Sequence, residues 1–417
     1  MVKDYVRRIV KEAKKNSYLL STISSKLKDK ALLTMAKLLL ESKDFILKEN
    51  EKDVRIAKRN GLKQSFIDRL TLTPKRLEEM SESLKELTNL PDPIGRVIDG
   101  WKRPNGLFIQ KVRVPVGVIL IIYEARPNVT SDCIGLCFKS SNVAILRGGK
   151  DAINSNKAIF KVLLKAVNSL GIGFSPFFLI QRTEHKLVDY LLKESAYIDL
   201  VIPRGGEALI RKVTQDSSIP VIKHYKGVCH IFVDAFADIS KALKVCLNAK
   251  VQRPSVCNAV ETILVHKNVA KKFLPKLKKE LDKYNVEIRG DFMTKKILRG
   301  IKLAKEIDWF TEYLDLVVSI KVVEDIDKAI EHINFYGSHH TDTIITENVN
   351  NARKFVEEVD SACCFVNIST RFSDGYQFGL GAEIGISTDK LHARGPMGLE
   401  ELTTYKYIVY GDGQIRE

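Results

Sequence analysis

Cys257 stands in the stretch Gln252-Arg253-Pro254-Ser255-Val256-Cys257-Asn258, directly ahead of the apolar, β-branched run Val260–His266. A cysteine in a short polar turn at the start of a buried strand sits on a rigid element, as a covalent nucleophile must. A free thiol titrates near ~8.5, so a few per cent is thiolate at neutral pH, and that species captures carbonyl carbon. The alternative for any one cysteine is a small buried apolar side chain. Paired glycines form a second group: Arg147-Gly148-Gly149-Lys150 and Pro203-Arg204-Gly205-Gly206-Glu207 each lie between a β-rich run and a helical segment. There the backbone can approach a phosphate and offer it the positive end of a helix. Tight turns alone explain such pairs equally well. Neither G-x-G-x-x-G nor G-x-x-x-x-G-K-[ST] occurs, so a standard dinucleotide fingerprint or P-loop is not supported. The seven cysteines include no C-x-x-C pair, and the eight histidines no H-x-x-x-H or H-E-x-x-H spacing. Free thiols in a reducing compartment, and no metal, are expected.

The elements that must position these residues change character along the chain. Residues 1 to about 100 repeat apolar residues three and four apart (Leu32, Ala36, Leu39, Leu40) between lysines and glutamates. This spacing predicts a bundle of amphipathic helices, one of them starting at Thr73-Pro74. Arg103-Pro104-Asn105-Gly106 is a turn signal and residues 107–114 read as a half-exposed strand, so a two-stranded ribbon is expected there, with an edge open to pairing with another chain. Between Val116 and Asp234, β-rich runs at 116–123, 142–146, 177–180, 198–202 and 229–233 alternate with helical segments. That alternation predicts a parallel, doubly wound sheet with ligands beyond the carboxyl ends of its strands. A second α/β unit, expected from about Asp238, carries the Cys257 strand. Residues 377–398 read as a long, glycine-rich functional loop, and Thr403–Tyr410 as a strand able to pair with the ribbon.

A chain of 417 residues exceeds the size of one core, so two large domains are expected. The formal net charge of +16 is spread along helices such as 26–48 and 271–283, without an arginine-rich arm or aromatic RNA motif. A lysine-rich solvated surface, with no nucleic-acid partner, is expected. The charged first fifteen residues lack a secretory apolar region. The longest apolar run, 114–123, is about ten residues, short of the ~20 that span a bilayer, so no membrane association and a cytoplasmic location are expected.

Over residues 114–407 or so the chain resembles the aldehyde dehydrogenase superfamily. Six segments in order carry the resemblance: Val116-Gly117-Val118-Ile119 with Tyr123-Glu124-Ala125-Arg126-Pro127-Asn128, then Leu146-Arg147-Gly148-Gly149, Pro203-Arg204-Gly205-Gly206, Gln252 to Ala259, Thr311-Glu312-Tyr313-Leu314, and Gly381-Ala382-Glu383-Ile384-Gly385. It points to the branch that reduces L-γ-glutamyl 5-phosphate to L-glutamate 5-semialdehyde and phosphate with NADPH, the second step of proline biosynthesis. The implied fold has two doubly wound α/β domains and a small β oligomerisation arm. Residues 1–235 would bind the cofactor, interrupted by the arm at about 103–115; residues 236–400 would be catalytic; 401–417 would add a C-terminal strand to the arm. The family binds its nicotinamide cofactor without the usual glycine fingerprint. Carried over residue by residue, Cys257 is the nucleophile that forms a thioester, and Asn128 with the cysteine backbone N–H holds the oxyanion. Glu312 orients the nicotinamide ribose, Arg147 faces the adenosine ribose, and Gly205 and Gly206 lie along the pyrophosphate. Arg126, Arg371 and Arg394 are candidates for the substrate's anionic groups. Homo-oligomers and contact with glutamate 5-kinase, source of the acyl phosphate, are the implied partners.

Hydrolytic members of the superfamily carry a glutamate base in an E-L-G-G-K segment. The equivalent stretch here, Ile222-Lys223-His224-Tyr225-Lys226-Gly227, has no carboxylate, which suits an enzyme that reduces its thioester; His224 could in principle replace the base, but a surface or cofactor-side histidine is the favoured reading. Two rivals stay open: a cysteine hydrolase or acyltransferase, and a non-catalytic or nucleic-acid-binding relative. NADPH binding separates the first, and salt-dependent binding to polynucleotide the second.

Overall fold

In the computed structural model, which describes residues 2–223 and 226–416, the amphipathic spacing of the first hundred residues folds as helices α1 (Val2–Leu20), α2 (Ser25–Glu41), α3 (Lys43–Arg59), α4 (Gln64–Leu70) and α5 (Pro74–Asn89). Helix α5 starts where the Thr73-Pro74 signal places it, the Thr73 side chain accepting from the Arg76 N–H. Next come the ribbon strands β1 (Val97–Lys102) and β2 (Phe108–Pro115), joined by a turn closed by Arg103 and Leu107. The chain then alternates through β3 (Val118–Tyr123), α6 (Asn128–Lys139), β4 (Val143–Gly148), α7 (Ile153–Asn168), β5 (Phe177–Leu179), α8 (Lys186–Leu191), β6 (Leu200–Arg204) and α9 (Glu207–Asp216). These four strands form one parallel sheet in the order β5-β4-β3-β6. Every residue of β3 and β4 is buried, which is why β3 and residues 143–146 of β4 read as unbroken apolar runs, with Arg147 and Gly148 closing β4. The order reverses at β3, so the crevice beyond the ends of β3 and β6 is the topological switch point.

A second parallel sheet is built from β7 (Cys229–Val233), α10 (Ile239–Val251), β8 (Val260–His266), α11 (Lys267–Asp282), β9 (Glu287–Gly290), α12 (Phe292–Ile297), β10 (Lys302–Leu303), β11 (Val317–Val323), α13 (Ile326–Tyr336), β12 (Thr341–Ile345), α14 (Val349–Glu358) and β13 (Cys363–Val366). Its order is β10-β9-β11-β8-β7-β12-β13. Ile263 and Val265 of β8 pack among Phe273, Leu274 and Leu277 of α11, while Leu264 between them joins Ile333 and Phe355 of α13 and α14. A strand buried on both faces is the rigid base that the Cys257 turn requires. Two-residue strands β14 (Ile386–Ser387) and β15 (Gly395–Pro396) follow, and β16 (Thr403–Tyr410) pairs antiparallel along the whole of β2, completing a β1-β2-β16 sheet.

The chain divides into two compact units: Met1–Lys223 with Gly379–Gly385 and Met397–Glu417, and His224–Phe378 with Ile386–Pro396. The expected division near residue 235 therefore lies earlier, and 229–233, expected in the first sheet, belongs to the second. Periodicity identifies a strand but not its partners: β7 pairs with β8 and β12. Similarly, the single loop expected over 377–398 is shared between the units. No helix among the described residues is long and apolar enough to cross a membrane.

Candidate active site

Exposure separates the cysteines. Among the seven free thiols, Cys133, Cys137, Cys229, Cys246 and Cys363 are buried, and burial pushes the Cys229 thiol well up and Cys137 to about 12. Cys257 and Cys364 are half-exposed, but burial still pushes Cys364 to about 11. A thiol held protonated is a poor nucleophile, which leaves Cys257 as the candidate.

Its turn is held from three sides within the second unit. The Asn258 side chain donates to the Ser373 carbonyl at 2.8 Å and accepts from Arg371, whose Nε donates to Gln252 at 2.8 Å. The Cys229 thiol donates to the Cys257 carbonyl at 3.2 Å. Gly227 packs its Cα directly on the Cys257 backbone: a β-carbon there would land on the Cys257 carbonyl oxygen and 2.8 Å from its Cα. The Gly227 N–H donates to Glu312 Oε1 at 2.8 Å, and Lys226 Nζ donates to the Phe310 carbonyl at 2.7 Å. Cys257, Gly227, Glu312 and Arg371 are thus one constellation. Burial, reinforced by neighbouring Arg253, lowers the Arg371 pKa. Two guanidinium groups beside the cysteine turn make a field that favours an anion. Arg394 is held elsewhere, its Nη2 donating to the Asp360 carboxylate at 2.7 Å and carbonyl at 3.2 Å. His224 lies outside the described residues.

Beneath this constellation sits a pair that the motifs do not reveal. Lys250 of α10 and Glu261 of β8, both fully buried, meet at 2.7 Å. Lys250 Nζ also donates to the Asp315 carbonyl at 3.1 Å, and Glu261 Oε1 accepts from the Leu314 N–H at 3.2 Å. The pair ties the strand after Cys257 to the loop carrying Glu312. Burial pushes the Glu261 carboxyl up against the opposing pull of Lys250. A charge inside an apolar strand demands a partner, so Glu261 is the signal that could have told from sequence alone that a partner exists. Lys250→Met is expected to cost about 3–5 kcal/mol in denaturant unfolding, because it strands a buried carboxylate; Lys250→Met with Glu261→Leu is expected to recover most of that.

In the first unit the expected residues gather at the carboxyl ends of adjacent strands: Arg126 and Asn128 after β3, Arg147 on β4, Gly205 and Gly206 after β6. Tyr123 fixes this end of the sheet, its hydroxyl bonded to Thr130 Oγ1 at 2.7 Å and Thr130 Oγ1 donating to Asn156 at 3.0 Å. The buried Arg147 donates to the carbonyls of Gly148 and Thr183. Gly385, at φ +147°, lies over the Arg204 guanidinium with no room for a β-carbon. The Gly206 N–H at the start of α9 donates to Glu124 Oε2 at 2.9 Å. A carboxylate oxygen thus satisfies the amide at the start of α9, beside the switch point of the sheet.

The model of the aldehyde dehydrogenase family matches residues 2–295. The chain is 54% identical over 416 residues to the gamma-glutamyl phosphate reductase of Thermodesulfovibrio yellowstonii, covering 100% of both chains. It is 54% identical over 407 residues to that of Caldanaerobacter subterraneus, covering 98% of each. The crystal structure of gamma-glutamyl phosphate reductase from Thermotoga maritima superposes with a TM-score of 0.95 at 48% identity, over 99% of this chain and 100% of that one.

Proposed function

Because the chain belongs to the aldehyde dehydrogenase family, and within it to the gamma-glutamyl phosphate reductases, we propose that it reduces L-γ-glutamyl 5-phosphate to L-glutamate 5-semialdehyde and phosphate through a thioester on Cys257. The observation that carries the proposal is the half-exposed Cys257, in the turn ahead of the buried strand β8, with its backbone packed on Gly227, whose N–H is bonded to Glu312.

The Cys257 thiolate attacks the acyl carbon, the carbon–oxygen bond to phosphorus breaks, and phosphate leaves with the electron pair. NADPH, when bound, supplies the hydride that takes the acyl carbon to the aldehyde level. Breaking the carbon–sulfur bond then releases the semialdehyde and restores the thiolate. Asn128 and the Cys257 backbone N–H are the proposed donors to the oxyanion, each worth roughly 3 kcal/mol of barrier. Arg371 and Arg253 stabilise the substrate's anionic groups, with Arg126 and Arg394 as further candidates. Glu312 is proposed to hold the nicotinamide ribose, and Gly205, Gly206 and Arg147 the rest of the cofactor; Glu124 must then turn away from the Gly206 amide. No carboxylate stands at 222–227 to activate water against the thioester.

The β1-β2-β16 sheet supports a homo-oligomer, since among the described residues no strand pairs along the outer edge of β1 or β16, and Trp101, Tyr405, Tyr407 and Tyr410 are exposed on it. Contact with glutamate 5-kinase would shelter the short-lived acyl phosphate.

The test of the reaction is its reverse, with glutamate 5-semialdehyde, phosphate and either NADP⁺ or NAD⁺. Phosphate-dependent formation of reduced nicotinamide, faster with NADP⁺, is expected. A folded protein inactive with both cofactors would overturn the assignment.

A further inference from the structure

Asn128 opens helix α6 and Asp132 stands one turn later on the same face. The Asn128 Nδ2 donates to Asp132 Oδ2 at 3.1 Å, and Ser83 Oγ of α5 reaches Asp132 Oδ1 at 3.4 Å. Ser83 is brought there by close helix packing: Gly135 of α6 has no room for a β-carbon because Leu84 and Leu87 of α5 lie over it. Asp132 is half-buried and Asn128 exposed.

A side-chain carboxamide has two N–H donors on one nitrogen and a carbonyl that is nearly indistinguishable in shape. An asparagine that must donate to a developing oxyanion therefore needs something to choose which end faces the reacting oxygen. An ionised carboxylate accepts only, so it captures the nitrogen end and leaves the second N–H pointing away from it.

We propose that Asp132 is a positioning residue: it anchors one N–H of Asn128 so that the other is presented, correctly oriented, to the oxyanion. The inference rests on the proposed role of Asn128. Around Asp132 the neutral Ser83 and Asn128 donate, Arg204 at the end of β6 favours the charge, and the adjacent Cys133 thiol is held protonated by burial. Burial pushes the Asp132 carboxyl up to about 6. Below that pH it gains a proton, can donate instead of accept, and loses its selectivity for the nitrogen end.

The test is a double-mutant cycle on kcat with Asn128→Ala, Asp132→Ala and the pair, plus pH profiles of the wild type and the isosteric Asp132→Asn. Asn128→Ala is expected to lower kcat by roughly 10²–10³-fold, as loss of an oxyanion donor does. Asp132→Ala is expected to lower it by roughly 10–100-fold with KM little changed, the scale of lost orientation. The pair should be no slower than Asn128→Ala alone, since Asp132 acts through Asn128. Wild-type kcat should fall as pH drops through about 6, and Asp132→Asn should lack that limb. A pair whose loss is the product of the two single losses would overturn the positioning role, as would an acid limb retained in Asp132→Asn. An Asn128→Ala protein with undiminished kcat would instead sink the oxyanion assignment itself. If Asp132→Ala does not fold, the same cycle is run with Asp132→Asn.

Discussion

Cys257→Ser is expected to leave a folded protein whose reductase activity is lower by at least roughly 10⁴-fold, the scale seen when the nucleophile is removed from a catalytic set. Serine differs by one atom, so the hydrogen bonds of Asn258 and the packing of Gly227 on the turn survive the change. Only the chemistry changes: a hydroxyl near neutral pH supplies almost no alkoxide, and no residue at 222–227 offers a carboxylate to deprotonate it. Unfolding midpoints equal to the wild type, measured beside kcat, separate lost chemistry from lost structure. None of the buried cysteines can substitute, because Cys229, the one bonded to the Cys257 carbonyl, is held protonated by its burial.

Gly227→Ala is expected to cost roughly 10²-fold or more in kcat, the penalty of moving a reacting group by about 1 Å. The added methyl would land on the backbone of the nucleophile, 2.8 Å from its Cα, and backbone cannot yield as a flexible side chain does. The shift acts on both sides of the site, because the Gly227 N–H also anchors Glu312. Stability should fall by only about 1–3 kcal/mol, the usual cost of overpacking by one methyl. A kcat within threefold of wild type would show that the Cys257 turn tolerates displacement.

Much of this architecture is legible in the sequence because burial leaves a local trace. The apolar β3, the apolar start of β4 at 143–146 and the Thr73-Pro74 helix start are written in composition and spacing. Motifs single out Cys257, Asn128 and Glu312 as candidates. Partnership leaves no such trace. Nothing within 229–233 says that it joins β8 and β12 in preference to the first sheet, and nothing at Gly227 says that a backbone 30 residues later lies against it. The Arg204 guanidinium beneath Gly385 and the Asp132 carboxylate on Asn128 are likewise products of folding. Glu261 lies between these cases, since a charge in a buried strand announces that a partner exists without naming Lys250.

The covalent step can be observed directly. The protein is mixed with γ-glutamyl phosphate, generated in situ by a glutamate-phosphorylating enzyme, without nicotinamide cofactor. After rapid acid quench, its peptides are mapped by mass spectrometry. The expected result is one glutamyl group on the Cys257 peptide, removed by hydroxylamine, with matching release of phosphate. A glutamyl group on any other residue, or semialdehyde formation that persists in Cys257→Ser once cofactor is supplied, would contradict a Cys257 thioester.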